Sequence, residues 1–216
     1  MTKKLVLLLG ALALFGCGEK NESGASAVEA ADSSADSQVA PNQTEAPSGD
    51  SAELADNGIT LPLSDADFAQ ILKQAVDLDV DLQFLEDPET IIKGNDSKPF
   101  SGWMKMEADD EGVMVGLVKS GKANGPWCAL HVDGRKMWEG LFKDGKKDGP
   151  WTFYNDDGVK KFMEQTHKDG EYVRLRYWHD NGKKRVEVIM KDGEKISAKF
   201  WNSRGIEVET REESTK

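Results

Sequence analysis

Four glycines in turn-like surroundings, Gly121, Gly145, Gly170 and Gly193, recur every 23 to 25 residues, and a second series, Gly134, Gly158, Gly182 and Gly205, runs in step with them. Each glycine of the second series stands four residues after Leu130, Tyr154, Trp178 or Trp201. Two turns in so short a repeat leave room for strands but not for helices of ordinary length. The pairs Asp133-Gly134, Asp144-Gly145, Asp157-Gly158, Asp169-Gly170, Asn181-Gly182 and Asp192-Gly193 supply the positive backbone angles of tight hairpins. Between them lie segments such as Met137–Phe142 and Trp151–Tyr154, rich in bulky apolar residues. The unit therefore reads as strand, turn, strand, turn. One partial copy around Phe100–Trp103 and Gly112 precedes four recognisable copies, which decay toward the C-terminus: the position of Trp127 and Trp151 becomes Leu175 and then Ala198. Hairpins that are marginal alone bury a shared apolar face when stacked. The expected fold class is mainly β, an elongated antiparallel β-meander over residues 99–210 followed by a flexible tail at 211–216.

Residues 58–98 read as a cap on that meander. Ser64 is a good N-cap, Asp67 completes a capping box, and Leu63 can staple onto Phe68. Phe68, Ile71, Leu72, Ala75 and Val76 form one apolar stripe, predicting a helix over Asp65–Val76 that covers part of the repeat sheet. Beyond it, Leu78, Val80, Leu82 and Phe84 alternate with polar residues and suggest a half-exposed strand, with a frayed continuation of the helix as the alternative. Asp87-Pro88 breaks this element, and Thr90–Lys93 can form a short strand.

Charge separates the chain further. Residues 18–98 carry 18 acidic and 4 basic side chains, whereas residues 99–216 carry 21 and 22. The lysines of the repeats are dispersed in turns, so the clustered basic face expected of a nucleic-acid partner is absent from the sequence. Residues 18–57 are Ala, Ser, Asp, Glu, Gln and Pro with few large apolar side chains, which predicts a disordered acidic linker. As a flexible coil it spans about 35 Å on average. Residues 1–17 combine Lys3-Lys4, an apolar run Leu5–Phe15 too short to span a bilayer as a helix, and Leu14-Phe15-Gly16-Cys17, which resembles a bacterial lipobox. This predicts a lipoprotein signal peptide with lipidation at Cys17 and a membrane partner through the lipid anchor. Gly18 after the cysteine leans toward the outer membrane. Cys128, between Trp127 and Leu130, reads as a small buried strand residue.

The pattern Pro99-Phe100-Ser101-Gly102-Trp103, then Lys-x-Gly-Lys-x-x-Gly-Pro-Trp at 119–127 and 143–151, then Asn181-Gly182-Lys183-Lys184, resembles the MORN-2 repeats of the YwqK family of antitoxin proteins. It spans about half of the chain. The third copy departs from it, with Glu171-Tyr172-Val173-Arg174-Leu175 in place of the Gly-x-Trp part, and the fourth reads Gly193-Glu194-Lys195-Ile196-Ser197-Ala198. The resemblance implies a repeat β-meander with a binding or scaffolding role and no agreed enzymatic activity.

The residues themselves give no sign of a reaction. His131, His167 and His179 lack Cys or His partners at metal-ligand spacing. Asn155-Asp156-Asp157-Gly158 looks calcium-like, but Phe153 occupies the place of the first carboxylate of an EF-hand loop. Neither a nucleophile with supporting context nor a phosphate-cradling loop stands out, so neither an enzyme nor a cofactor is expected. The candidate binding residues are the aromatics Trp103, Trp127, Trp138, Trp151, Tyr154, Trp178 and Trp201, with Tyr177 beside them. Alternation places Trp151 and Phe153 on one face and Thr152 and Tyr154 on the other. The expected function is a membrane-anchored protein-binding or scaffolding module of the cell envelope, with a protein partner. A carbohydrate or cell-wall binding module using exposed aromatics, and an antitoxin or immunity protein, are the competing expectations.

Overall fold

The structure, a computed structural model, describes residues 61–86, 89–94, 98–108 and 112–216. The expected signal peptide, Cys17 and the acidic linker lie outside the described residues. The chain begins with helix α1 (Asp65–Gln74), a two-residue strand β1 (Val76–Asp77), a single helical turn α2 (Leu78–Asp81) and the hairpin β2 (Leu82–Glu86) and β3 (Glu89–Lys93). The repeats follow as β4 (Gly102–Ala108), β5 (Gly112–Lys119), β6 (Lys122–Leu130), β7 (Lys136–Lys143), β8 (Lys146–Tyr154), β9 (Lys161–Lys168), β10 (Glu171–Trp178), β11 (Lys184–Lys191), β12 (Glu194–Trp201) and β13 (Glu207–Val208). A 3-10 turn, Glu213–Thr215, ends the chain. Strands β4 to β13 pair antiparallel with their sequence neighbours in one 11-stranded sheet, and β1 adds in parallel to the β4 edge.

The two glycine series make two kinds of turn. In the first, Asp144 at φ 50° precedes Gly145 at φ 84°, the two positive angles of a type I′ hairpin, whose twist matches that of the strands it joins. Ser120, Asp169 and Asp192 occupy the same conformation before their glycines. In the second series the loops are longer, and an Asp or Asn side chain organises them. The Asp157 carboxylate accepts from the amides of Val159 and Lys160, and the Asn202 side chain accepts from those of Arg204 and Ile206. The calcium-like Asn155–Gly158 segment is such a loop.

The core sits on both faces of the first half of the sheet. On one face Met104, Met106, Met114, Val118, Trp127, Trp138, Phe142 and Trp151 pack beneath Leu78, Leu82 and Ile91 of the α2–β2–β3 unit. We call this the hairpin face. On the other, the helix face, Trp103, Val115, Cys128, Leu130 and Leu141 pack beneath Leu61, Leu63, Phe68 and Ile71. The α1 capping box forms as the sequence predicts, with Ser64 accepting from the Asp67 amide and Asp67 accepting from that of Ser64.

Three boundaries differ from expectation. Helix α1 ends at Gln74 because Ala75, still packed on the helix face, turns extended, and Val76 passes round the β4 edge to pack on the hairpin face. Residues 78–81 form a helical turn, the alternative to the strand expected first: Leu78 and Leu82, four apart, are both buried on the hairpin face while Val80 is 77% exposed. Residues 211–216, expected as a tail, pack against the sheet end. Ser214 is fully buried, and Ser203 donates to the Lys216 carbonyl at 2.9 Å.

Candidate functional site

Pairing along the strands places side chains in rows, because directly opposed residues of antiparallel strands share a face. One hairpin-face row reads Gly116, Trp127, Gly140, Trp151, Gln165, Leu175, Val188, Ala198. The glycines explain the tryptophans. A Cβ at Gly116 would stand 2.0 Å from the Trp127 indole, and one at Gly140 would stand 2.3 Å from that of Trp151, so each ring lies flat over a strand that offers no side chain. Each indole then donates to a strand carbonyl, Trp127 to Leu117 at 3.0 Å and Trp151 to Leu141 at 2.9 Å. Phe142 meets both rings edge-on, at 5.4 and 5.0 Å, and Trp138 stacks on Trp151 at 5.2 Å. From β9 onward Gln165 and Leu175, then Val188 and Ala198, replace the Gly–Trp pairs, and no indole bridges the strands in that row.

Four of the proposed binding aromatics are thus core. Trp103, Trp127, Trp138 and Trp151 are 8%, 1%, 6% and 0% exposed, which leaves no ring face for a ligand. Tyr154, Trp178 and Trp201 are half-buried on the helix face, each with a lysine over its ring: Lys136 at 5.7 Å, Lys161 at 4.3 Å and Lys184 at 4.7 Å. These lysines begin a Lys-x-x-Glu motif repeated at 136–139, 161–164 and 184–187, and in each copy the lysine also pairs with its glutamate. The motif is legible in the sequence once the strands are aligned.

On that face the row Glu139, Thr152, Glu164, Arg176, Glu187, Lys199 crosses the sheet from β7 to β12. Arg176 bridges Glu164 at 2.9 Å and Glu187 at 2.8 Å. Burial opposes the charges of Arg176 and Glu187, but each outweighs it for the other: the Arg176 guanidinium is raised and the Glu187 carboxyl held below its usual range, with Lys184 assisting. The row ends at a buried knot. Glu139 accepts from the Leu63 amide and Lys136, both at 3.1 Å, and from the Tyr154 hydroxyl, while Lys136 donates to the Leu63 carbonyl at 2.6 Å. It fastens the lead into α1 to strand β7. Burial, with Glu139 next, raises the Tyr154 phenol well above its ordinary value and the neighbouring Cys128 thiol to about 12, so Cys128 stays a protonated packing residue.

The opposite face of the same strands is different. Met163, Tyr177, Val186, Phe200 and Val208 share one hairpin-face row beside Leu175, Val188 and Ala198 of the next. Of these, Val186 is buried and the rest are partly exposed. The two core clusters reach no further than Phe153. Among the described residues, therefore, neither covering layer of the first half extends over β9–β13. At the border His167 lies buried against Trp151 and Tyr172, its Nε2 at 3.1 Å from Gln165. Burial, and then the charge of Lys147, lowers its pKa to about 4, so it is neutral at pH 7. Sequence reasoning missed this apolar face because its members are unlike the repeat consensus. Their common face follows once the decayed copies are set in register.

Compared with known protein families, the chain matches no family model, and no curated protein matches it.

Proposed function

We propose that this chain is a bacterial envelope lipoprotein, anchored through Cys17 and by preference in the outer membrane, whose β-repeat domain binds a protein partner or organises an assembly. The observation that carries the reading is the apolar hairpin face of β9–β13, which continues the row of Trp127 and Trp151 beyond the reach of the covering hairpin. A sheet face with Leu, Val, Phe and Met in contiguous rows is stable in water at some cost, and contiguous apolar surface of this kind marks interaction sites. The lipobox-like Leu14–Cys17 segment and the acidic stretch after it support a tethered placement. The carbohydrate reading has less support, because lysines already occupy a ring face of Tyr154, Trp178 and Trp201. The antitoxin reading needs a toxin that acts in or enters through the envelope, since export removes the chain from the cytoplasm.

The test is affinity capture of the full-length acylated protein from cross-linked native envelope, beside a Cys17→Ser control, with proteins and glycans identified. Recovery of one stoichiometric protein from the acylated form alone is the expected result. Glycan without a specific protein, or equal recovery from the control, contradicts it.

A further inference from the structure

The helix face of β9–β12 carries more positive than negative charge. Lys161, Lys184 and Lys199 pair with Glu164, Glu187 and Glu207, and Arg176 shares the first two of those carboxylates. Arg174, two residues before Arg176 on the same face, is the cation left over. Among the described residues the one carboxylate within 4 Å of it is Glu187, at 3.9 Å and already bonded to Arg176, and the Arg174 Nε is buried without an acceptor. A guanidinium with a buried donor unmet has a place for one more carboxylate.

The described chain starts on this same face. Leu61 and Leu63 are buried there, and Leu63 donates its amide to Glu139 and accepts from Lys136, both on β7. From β7 the chain runs through α1, whose Phe68 and Ile71 pack with Val115 of β5, to β1 on the β4 edge. Followed backward from Leu61, that heading leads away from β4 and over β8–β12. Residues 21–60 contain no Lys or Arg, and Asp56, Glu53 and Asp50 are the acidic residues next before Leu61. From β7 to Arg174 on β10 is three strand spacings, about 14 Å, and the five residues from Leu61 back to Asp56 extend to about 17 Å. Lys199 on β12 is about 24 Å from β7, and the eight residues back to Glu53 extend to about 26 Å. A second copy of this face brings the same excess of cations and is repelled. An acidic segment of another protein meets the face only at its solution concentration, whereas one a few residues from Leu61 is held at an effective concentration on the order of millimolar.

We propose that the segment Asp50–Asp56 of this chain lies across the helix face of β9–β12, with the Asp56 carboxylate on the Arg174 guanidinium and Glu53 toward Lys199. It uses the face opposite the apolar one and stands apart from the protein-binding reading.

The test is carbodiimide cross-linking of an equal mixture of unlabelled and isotope-labelled full-length protein. The reagent activates a carboxylate, a neighbouring lysine amine captures it as an amide, and the displaced oxygen leaves in the urea by-product. Two lysines of β12 separate the faces: Lys199 opposes Glu187 on the helix face, and Lys195 opposes Met190, which shares the hairpin face with Val188. The expected result is amides within single chains from Asp50, Glu53 or Asp56 to Lys199, at least fivefold more abundant than to Lys195, and a yield lowered at least threefold by Arg174→Gln. Equal yields at Lys199 and Lys195, amides that join only labelled to unlabelled chains, or no amide from the segment overturn the proposal. A yield that Arg174→Gln leaves unchanged overturns it as well.

Discussion

Strands β4–β8 and β9–β12 have similar lengths and the same turn chemistry, yet the first half of the sheet is the middle of three layers and the second, β9–β13, among the described residues, lacks both of those covers. The difference lies in one row. Where Gly116 and Gly140 leave room, Trp127 and Trp151 lie across the neighbouring strand and interlock with Phe142 and Trp138. Where Gln165 and Val188 stand instead, the opposed residues shrink to Leu175 and Ala198. Turn residues thus fix the meander, and the size of the residue at one repeat position decides whether an aromatic core builds on it. The second half draws instead on its helix face, where Glu164, Arg176 and Glu187 satisfy one another across three strands.

The most damaging change to this contrast is Trp151→Ala, which removes a fully buried indole from the centre of the first half. It is expected to cost about 4 kcal/mol in urea unfolding, against about 1 kcal/mol for Leu175→Ala in the partly exposed half. Glu139→Gln comes next. It leaves Lys136 without its buried counter-ion and weakens the hold on the α1 lead, a loss of about 3 kcal/mol, together with faster amide exchange at Leu63.

His167 gives the border its own pH dependence. Its ordinary pKa of 6.5 falls to about 4 in the folded chain, so the unfolded state takes up the proton first and stability is lost as pH falls between those values. The full loss is up to about 3 kcal/mol, and denaturation midpoints of His167→Gln should be flatter over the same window. The smallest effect belongs to the part-buried ladder: Glu187→Gln is expected to lower stability by about 1 kcal/mol, with the difference shrinking in high salt.

Much of this architecture is written locally and was readable in the sequence. The Asp-Gly and Asn-Gly turns, the Ser64 capping box and the burial of Cys128 each depend on residues a few positions apart or on simple apolarity. What was not legible depends on which face an element reaches. Leu78 and Leu82 read as alternation until the hairpin face claims both and excludes Val80. The tryptophans read as one series, but Trp127 and Trp151, each opposite a glycine, became core together with Trp103 and Trp138, and Trp178 and Trp201 lie instead under lysines on the helix face. Tyr154 read as a candidate binding aromatic until Glu139 accepted its hydroxyl. The end of the chain carried no apolar pattern to announce that Ser214 packs against the sheet.

Native-state hydrogen exchange across the sheet tests the central claim most directly, because it reads the stability of each strand within one molecule. The account predicts that amides of β5–β7 exchange through global unfolding alone, while those of β11 and β12 exchange through a smaller opening of lower free energy. Equal protection from β5 to β12, in the absence of a partner, would contradict the division of the sheet into a covered half and a bare one.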